Sequence, residues 1–173
     1  MSRRDLGTRM AYTKEVGRAR YELYRGANRR LKEALAHGFW IEAIALCESM
    51  ISDRLEARIS HLGNHEPTAR RHKVLGGLVK RLQSIEKKTG YATLHALYDE
   101  VRSWNDDRNK AIHHAVKISD GEEFRSWDQR YGELEATART GADLVRRLSS
   151  EFKRMRLAAE RKKAPKPKSH IVI

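Results

Sequence analysis

Apolar side chains recur at the three- and four-residue spacing of amphipathic helices through most of this chain. The strongest pattern lies between Phe39 and Leu62, where a broad apolar arc predicts a helix that is buried on more than one side. Alternating runs of Val, Ile and Thr, which would indicate strands, are missing. The pattern therefore predicts an all-α fold, a single bundle of about five helices that includes long antiparallel ones.

The remaining helices are bounded by capping and helix-breaking residues. The first is predicted from Thr13 to His37-Gly38, the third from Ala69 to Lys88, and the fourth segment from Tyr91 to Ile118. In the fourth segment, Asn105-Asp106-Asp107 is either a polar turn within one helix or the cap of a new one. A last helix is predicted to begin at about Glu122 or Gly132.

The last helix carries an apolar residue at alternating spacings of four and three: Leu134, Ala138, Gly141, Val145, Leu148, Phe152, Met155 and Ala159. This heptad stripe predicts either a bundle helix whose far end overhangs the other helices or a seam between two copies of the chain. The predicted organisation is a basic flexible arm over residues 1–12, the bundle over 13–160 and a disordered basic tail over 161–173.

The basic charge lies at the two ends of the chain. Of a net charge of +13, residues 1–36 carry 10 Lys and Arg against 4 Asp and Glu, and residues 150–173 carry 8 against 2, whereas residues 37–149 carry 18 against 17. Basic ends attract polyanions, so a nucleic acid is the expected partner. The alternative is that this charge only keeps the protein soluble.

Composition favours a cytoplasmic protein that needs no metal or cofactor. The single cysteine, Cys47, cannot form an intramolecular disulfide and lies on the apolar arc, where it is best interpreted as core filler. Neither a signal-like start nor an apolar run long enough for a membrane is found, so no membrane partner is expected. The histidines His61, His65 and His72 span a loop and fit no zinc-ligand spacing.

Three polar residues stand where apolar ones are expected. Glu48 lies at the rim of the apolar arc of the second helix and Arg54 lies inside it. Arg108 falls in the apolar stripe of the fourth segment, if that segment is one helix. A long arginine can lay its methylenes along a core and keep its charged head in water, and this interpretation fits Arg54 better than Arg108. Glu48 is a candidate to hydrogen-bond an Arg or His from across the bundle.

The segment that runs from Arg108 to His114, Arg-Asn-Lys-Ala-Ile-His-His, resembles the signature of HEPN domains, in which an Arg followed by a polar residue such as Asn closely precedes a His. The segment from Glu42 to Leu55 is similar to the long buried early helix of such proteins. The resemblance covers residues 37–150. It implies a helical bundle, often dimeric, that in many members is a metal-independent endoribonuclease.

In those members the Arg and His of two protomers form one composite site. Carried onto this chain, the resemblance implies that Arg108 and His113 are the catalytic pair and that Asn109 orients the site, with His114 as the substitute if the helix phase differs. It also implies a homodimer that binds RNA, acting as a toxin or defence effector with an antitoxin or defence-system partner. Some family toxins carry a tyrosine that the antitoxin modifies where this chain has Ala115, so that form of regulation is in doubt.

The chemistry of such a site follows from its residue types. RNA supplies its own nucleophile, the 2′-OH, and a histidine can accept that proton or protonate the leaving oxygen. Arginine can hold the non-bridging phosphate oxygens as negative charge builds. The expected products are a 2′,3′-cyclic phosphate and a 5′-hydroxyl. Together with Glu48, the candidate catalytic residues are Arg108, Asn109, His113 and His114.

Three functions compete at this level. The first is the HEPN-like endoribonuclease. The second is a non-catalytic helical module that docks nucleic acid or an acidic partner through its basic ends. The third is an assembly protein that oligomerises through its last helix. A purely structural interpretation of the motif also stands, with Asn109 and His113 as a solvated helix pair and Arg108 as a core residue that reaches water.

Overall fold

The computed structural model describes residues 14–62, 74–87, 92–117, 121 and 125–163. These residues form five α-helices and no strand, namely α1 (Lys14–Ala36), α2 (Trp40–His61), α3 (Leu75–Glu86), α4 (Ala92–Val116) and α5 (Trp127–Lys163). The prediction of an all-α bundle is confirmed. The predicted arm over residues 1–12 and the part of the predicted tail beyond residue 163 lie outside the described residues.

Helix α2 lies at the centre of the bundle. It packs against α1, α3 and α5, while α4 packs against α3 and α5, so that α2, α3, α4 and α5 form a ring of four and α1 lies outside it against α2. Seven of its residues are buried, and they occupy the broad arc that the sequence predicts: Ala43, Ile44, Cys47, Met50, Ile51, Leu55 and Ile59. A helix with neighbours on three sides needs such an arc.

The direction of each helix follows from contacts at its two ends. Helix α5 runs parallel to α2, because the backbone N–H of Trp40 donates to the Tyr131 hydroxyl at 3.1 Å and the Arg58 guanidinium lies 5.9 Å from the centre of the Phe152 ring. Helix α4 runs antiparallel to α5, because Glu100 pairs with Arg147 while the Trp104 indole N–H donates to the Thr137 carbonyl at 2.8 Å.

The apolar stripe of α5 packs inside the chain. Leu134, Ala138, Val145 and Leu148 are buried, and Met155 is the last buried member of the stripe. Gly141 is the tightest point, because a Cβ there would lie 2.7 Å from the Trp104 ring and 3.0 Å from the Cys47 Cβ. The stripe is thus the core face of a bundle helix rather than a free seam as far as Met155.

The beginning of α5 is set by a capping box. The backbone N–H of Gln129 donates to the Ser126 hydroxyl at 3.3 Å, and the Ser126 N–H donates back to the Gln129 side chain at 2.9 Å. The helix therefore begins at Trp127, between the two predicted starts. At its other end it continues to Lys163, three residues into the predicted tail.

Helix α3 begins later than predicted, at Leu75, and residues 69–73 lie outside the described part of the chain. Gly76 and Gly77 consequently occupy its first turn, where glycine disturbs a helix less than in the interior. The predicted end of α1 is confirmed, since Gly38 adopts a φ of 74°, which favours glycine. None of the helices described has both the length and the apolar character needed to cross a membrane.

Candidate functional site

The motif residues lie on one continuous helix. Helix α4 runs without interruption through Asn105-Asp106-Asp107, so the interpretation of this tripeptide as the cap of a new helix is wrong. Asn105 is only 6% exposed, and its side-chain oxygen accepts a hydrogen bond from Arg108 at 3.3 Å. Because that amide is engaged in side-chain contacts, it does not compete with the helical backbone as an exposed asparagine would.

The side chain of Arg108 is 15% exposed and points into the bundle. Its Nη2 donates to Glu48 on α2 and to Asn105 one turn earlier on α4. Its Nε is buried without a hydrogen-bond partner, and its Nη1 donates to none of the residues that the structure describes. The guanidinium is thus largely buried and is held by a carboxylate at the rim of the bundle, instead of extending into water as the snorkelling interpretation would have it.

Glu48 is the partner that fixes this arginine. Its side chain is 36% exposed, which places it at the rim of the bundle, as its position on the apolar arc of α2 indicates. The cross-bundle contact with an arginine is therefore present, and it joins the second and fourth helices at the level of the motif. A carboxylate that holds a guanidinium also fixes the direction of the remaining N–H groups.

The two histidines are placed differently from Arg108. His113 and His114 are exposed, and neither imidazole hydrogen-bonds a residue in the described part of the chain. His113 follows Arg108 by five residues, which corresponds to about 7.5 Å along the helix and about 140° around it. Asn109 lies between them and is half-buried. The structure thus brings Glu48, Asn105 and Arg108 together and leaves His113 on the flank of the same helix.

His114 faces a shallow hollow between α4 and α5. This hollow has a volume of about 280 Å³ and is lined by Asp107, Lys110, Ala111, His114, Ala115, Arg130, Glu133 and Leu134. Its cationic and anionic side chains are equal in number apart from the histidine, so it offers no strong preference for anions. His113, which lies on the other flank of α4, does not line it.

Arg130, at the start of α5, is a residue that the sequence analysis did not single out. Its side chain reaches across to the C-terminal end of α4, where Nη1 donates to the carbonyls of His114 at 2.6 Å and Lys117 at 2.8 Å. Arg130 is only 6% exposed. A cation at a helix C-terminus satisfies carbonyls that lack a partner within the helix and complements the helix dipole.

The N-terminal end of α3 meets α4 just before the motif. A Cβ at Gly76, the second residue of α3, would lie 3.9 Å from the side-chain nitrogen of Asn105. Because α3 begins there, the last turns of α4, which carry Arg108, Asn109 and His113, extend beyond its end. The N-terminal end of a helix has partial positive charge, so it adds to the potential of Arg108 rather than opposing it.

A second polar cluster lies in the core, away from the motif. Glu86 at the end of α3 is fully buried, and its carboxylate accepts hydrogen bonds from Arg58 and, at 2.6 Å, from the Tyr98 hydroxyl. The His95 ring contacts the Glu86 carbonyl at 3.2 Å. Burial and the hydrogen bond to Glu86 raise the pKa of Tyr98 well above its usual range. Its buried carboxylate joins Arg58 of α2 and Tyr98 of α4 to Glu86 of α3, so the cluster serves as a clamp between these three helices.

Arg54 is held differently from the way the sequence indicated. Its guanidinium lies over the Tyr24 ring of α1, 4.1 Å from the ring centre, so the charged head stacks on an aromatic face instead of extending into water. The Tyr24 hydroxyl in turn donates to Asp53 at 2.5 Å. Arg54 therefore belongs to the α1–α2 interface and has no part in the motif on α4.

The remaining candidates behave as packing or surface residues. Cys47 is fully buried, and burial raises its pKa to about 12. His61 is exposed at the end of α2, while His65 and His72 lie outside the described residues. Among the residues that the structure describes, no group of His, Cys, Asp and Glu is arranged to hold a metal ion.

Comparison of the chain with protein-family models, with curated proteins and with solved structures found no match.

Proposed function

We propose that this protein is a HEPN-like, metal-independent endoribonuclease that cleaves RNA through attack of the 2′-OH on the adjacent phosphate. The observation that carries the proposal is the placement of Arg108: its Nη2 is tied to Glu48 at the rim of the bundle while its Nη1 donates to no described residue, and it lies on the same helix as an exposed histidine.

Each residue has a role that its position allows. His113, free of partners among the described residues, takes the 2′-OH proton or protonates the leaving 5′-oxygen. The Nη1 N–H groups of Arg108, which donate to no described residue, bind a phosphate oxygen as negative charge develops. Glu48 is a positioning residue, which holds the guanidinium in one orientation. Asn109 lies on α4 between Arg108 and His113 and orients the site. A general acid or base such as His113 contributes roughly 10²–10⁴-fold to the rate.

The site is completed by a second copy of the chain. Within one chain, Arg108 and His113 are about 140° apart around α4 and do not converge on one point. A two-fold dimer that pairs the α4 flanks would place the histidine of each protomer against the arginine of its partner, so that the dimer holds two such His–Arg pairs. RNA cleavage therefore depends on dimerisation in this proposal.

The test is cleavage of a single-stranded RNA in EDTA by the purified full chain. Wild-type protein is expected to give products with 2′,3′-cyclic phosphate and 5′-hydroxyl ends. Arg108→Ala and His113→Ala are each expected to lose at least about 100-fold in rate. Mixing these two inactive variants is expected to restore part of the activity, because a mixed dimer holds one intact pair.

Matched controls are available on the same helices. Arg102 on α4 and His61 on α2 are exposed, so Arg102→Ala and His61→Ala remove the same groups without touching the motif. Both controls should cleave at the wild-type rate, and circular dichroism should show all four variants folded. Cleavage that survives in folded Arg108→Ala and His113→Ala, or its absence from the wild type with every RNA tried, would overturn the proposal in favour of a non-catalytic module.

A further inference from the structure

The two basic segments of the chain meet at one end of the bundle. Helix α1 runs antiparallel to α2, because Tyr24 donates to the Met50 carbonyl at 3.3 Å while Arg30 pairs with Glu42 at 2.7 Å near the other end. Helix α5 runs parallel to α2, as described above. The beginning of α1 and the end of α5 therefore both lie beside the C-terminal end of α2.

These segments form a surface that we call the basic pole, consisting of residues 18–25 of α1 and 153–161 of α5. The first carries three Arg against one Glu, and the second carries four Lys and Arg against one Glu. Three of these cations, Arg18, Lys153 and Arg161, are exposed and make no ion pair with a described residue. Charge that is split between the ends of the sequence is thus gathered in space.

The α5 part of the basic pole is remote from His113, whereas its α1 part lies nearer to the site, because Arg20 pairs with Asp53, five residues after Glu48 on α2. Because Arg130 holds the carbonyl of His114, His113 lies beside the beginning of α5. From Arg130 to Lys153 is about 35 Å along the helix axis. This distance is well beyond the Debye length of about 8 Å at physiological ionic strength, so the α5 part of the pole does not act on His113 through its electric field.

We infer that the basic pole binds the phosphate backbone of a nucleic acid, independently of any cleavage at Arg108. Arginine, which predominates among the exposed cations there, binds phosphate with paired N–H groups. An anionic membrane fits less well: Tyr21 and Leu23 lie about 200° apart on α1, and Leu157 is the single large exposed apolar side chain described on the α5 part, so neither helix presents a continuous apolar face. An exposed tyrosine can instead stack on an unpaired base.

The test measures binding of the full chain to a 2′-O-methyl RNA of about 30 nucleotides at KCl concentrations between about 50 and 200 mM. Such an RNA has no 2′-OH, so binding is read without cleavage and its failure is distinct from failure of the nuclease proposal. The variant is the triple substitution Arg18→Gln, Lys153→Gln and Arg161→Gln. It removes exposed charges and leaves the ion pairs of the pole in place.

The matched control, Lys32→Gln, Lys80→Gln and Arg102→Gln, removes equal charge from exposed positions outside the pole. The pole variant is expected to bind about tenfold more weakly and to lower the slope of log affinity against log salt by about 2, while the control changes neither by half as much. Equal effects in the two variants, or none in either, would contradict the inference. So would binding of wild type to vesicles with anionic lipid but not to the RNA.

Discussion

The guanidinium of Arg108 on α4 donates a hydrogen bond to the carboxylate of Glu48 on α2. The two residues are sixty positions apart in the sequence, and their contact joins α2 to α4 at the rim of the bundle. Its consequences for stability can be separated from those for catalysis, because Glu48 touches the arginine without being itself a proton carrier in the proposed reaction.

The Arg108–Glu48 pair is expected to contribute to stability as a coupled unit. Glu48→Ala should lower the free energy of unfolding by about 1–2 kcal/mol, because it leaves a largely buried guanidinium without its anion. In a double-mutant cycle with Arg108→Ala, urea denaturation should give a coupling energy of about 1 kcal/mol. Strictly additive single effects would mean that the contact makes no net contribution.

The buried carboxylate of Glu86 should matter far more than an exposed one. Glu86→Ala is expected to cost about 3–5 kcal/mol, because Arg58 and Tyr98 both lose their acceptor in the core. The control is Glu100→Ala, which breaks an exposed pair with Arg147 and should cost under about 1 kcal/mol. Urea unfolding measures both, and equal costs would show that the interior cluster is not a clamp.

Gly141 should tolerate no side chain. Gly141→Ala is expected to destabilise the protein by about 1–3 kcal/mol, because the added Cβ meets the Trp104 ring and the Cys47 Cβ. Gly132 on the same helix has nothing within 4 Å of a Cβ, so Gly132→Ala should stabilise by about 0.5–1 kcal/mol. Thermal melts of the two variants should shift in opposite directions; a shift in the same direction would contradict this packing.

The Cys47 thiol should be inert in the folded protein. Since burial raises its pKa from an ordinary value of 9.0 to about 12, the reactive thiolate is scarce at pH 8. A thiol reagent should react slowly in buffer and rapidly in urea. The raised pKa also means that the folded protein holds the thiol proton more tightly than the unfolded chain does. The free energy of unfolding is therefore unaffected by this group below pH 9 and falls as the pH rises from 9 towards 12. Fast labelling of native protein would count against this burial.

The sequence was sufficient for the fold class because helical periodicity is a local property. It located α1, α2 and α4, and the apolar stripe of α5, from spacing and caps alone. It placed the start of α5 wrongly because the capping box of Ser126 and Gln129 went unrecognised, although both residue types stand at the required spacing. The burial of Glu86 was not predicted for another reason. Its neighbour Ile85 is apolar and fits the helical stripe, so Ile85 rather than Glu86 is expected to face the core.

The candidate site was predictable only as a set of residue types. That Arg108 belongs to a helix face and that Glu48 lies at a rim follow from angles around single helices. Which carboxylate meets which guanidinium depends on how α2 and α4 pack, and that is a tertiary property. Likewise, no local signal indicates that Arg130 spans from one helix to the carbonyls of another.

The contact between Arg130 and the end of α4 also affects how well the position of His113 is defined. Helix ends ordinarily fray, and the final turn samples several conformations. Here the last carbonyls of α4 are fastened by Arg130, whose own backbone belongs to the well-packed beginning of α5. The imidazole of His113 consequently projects from a turn with little freedom to unwind, so its position is inherited from the whole bundle rather than from a loose terminus.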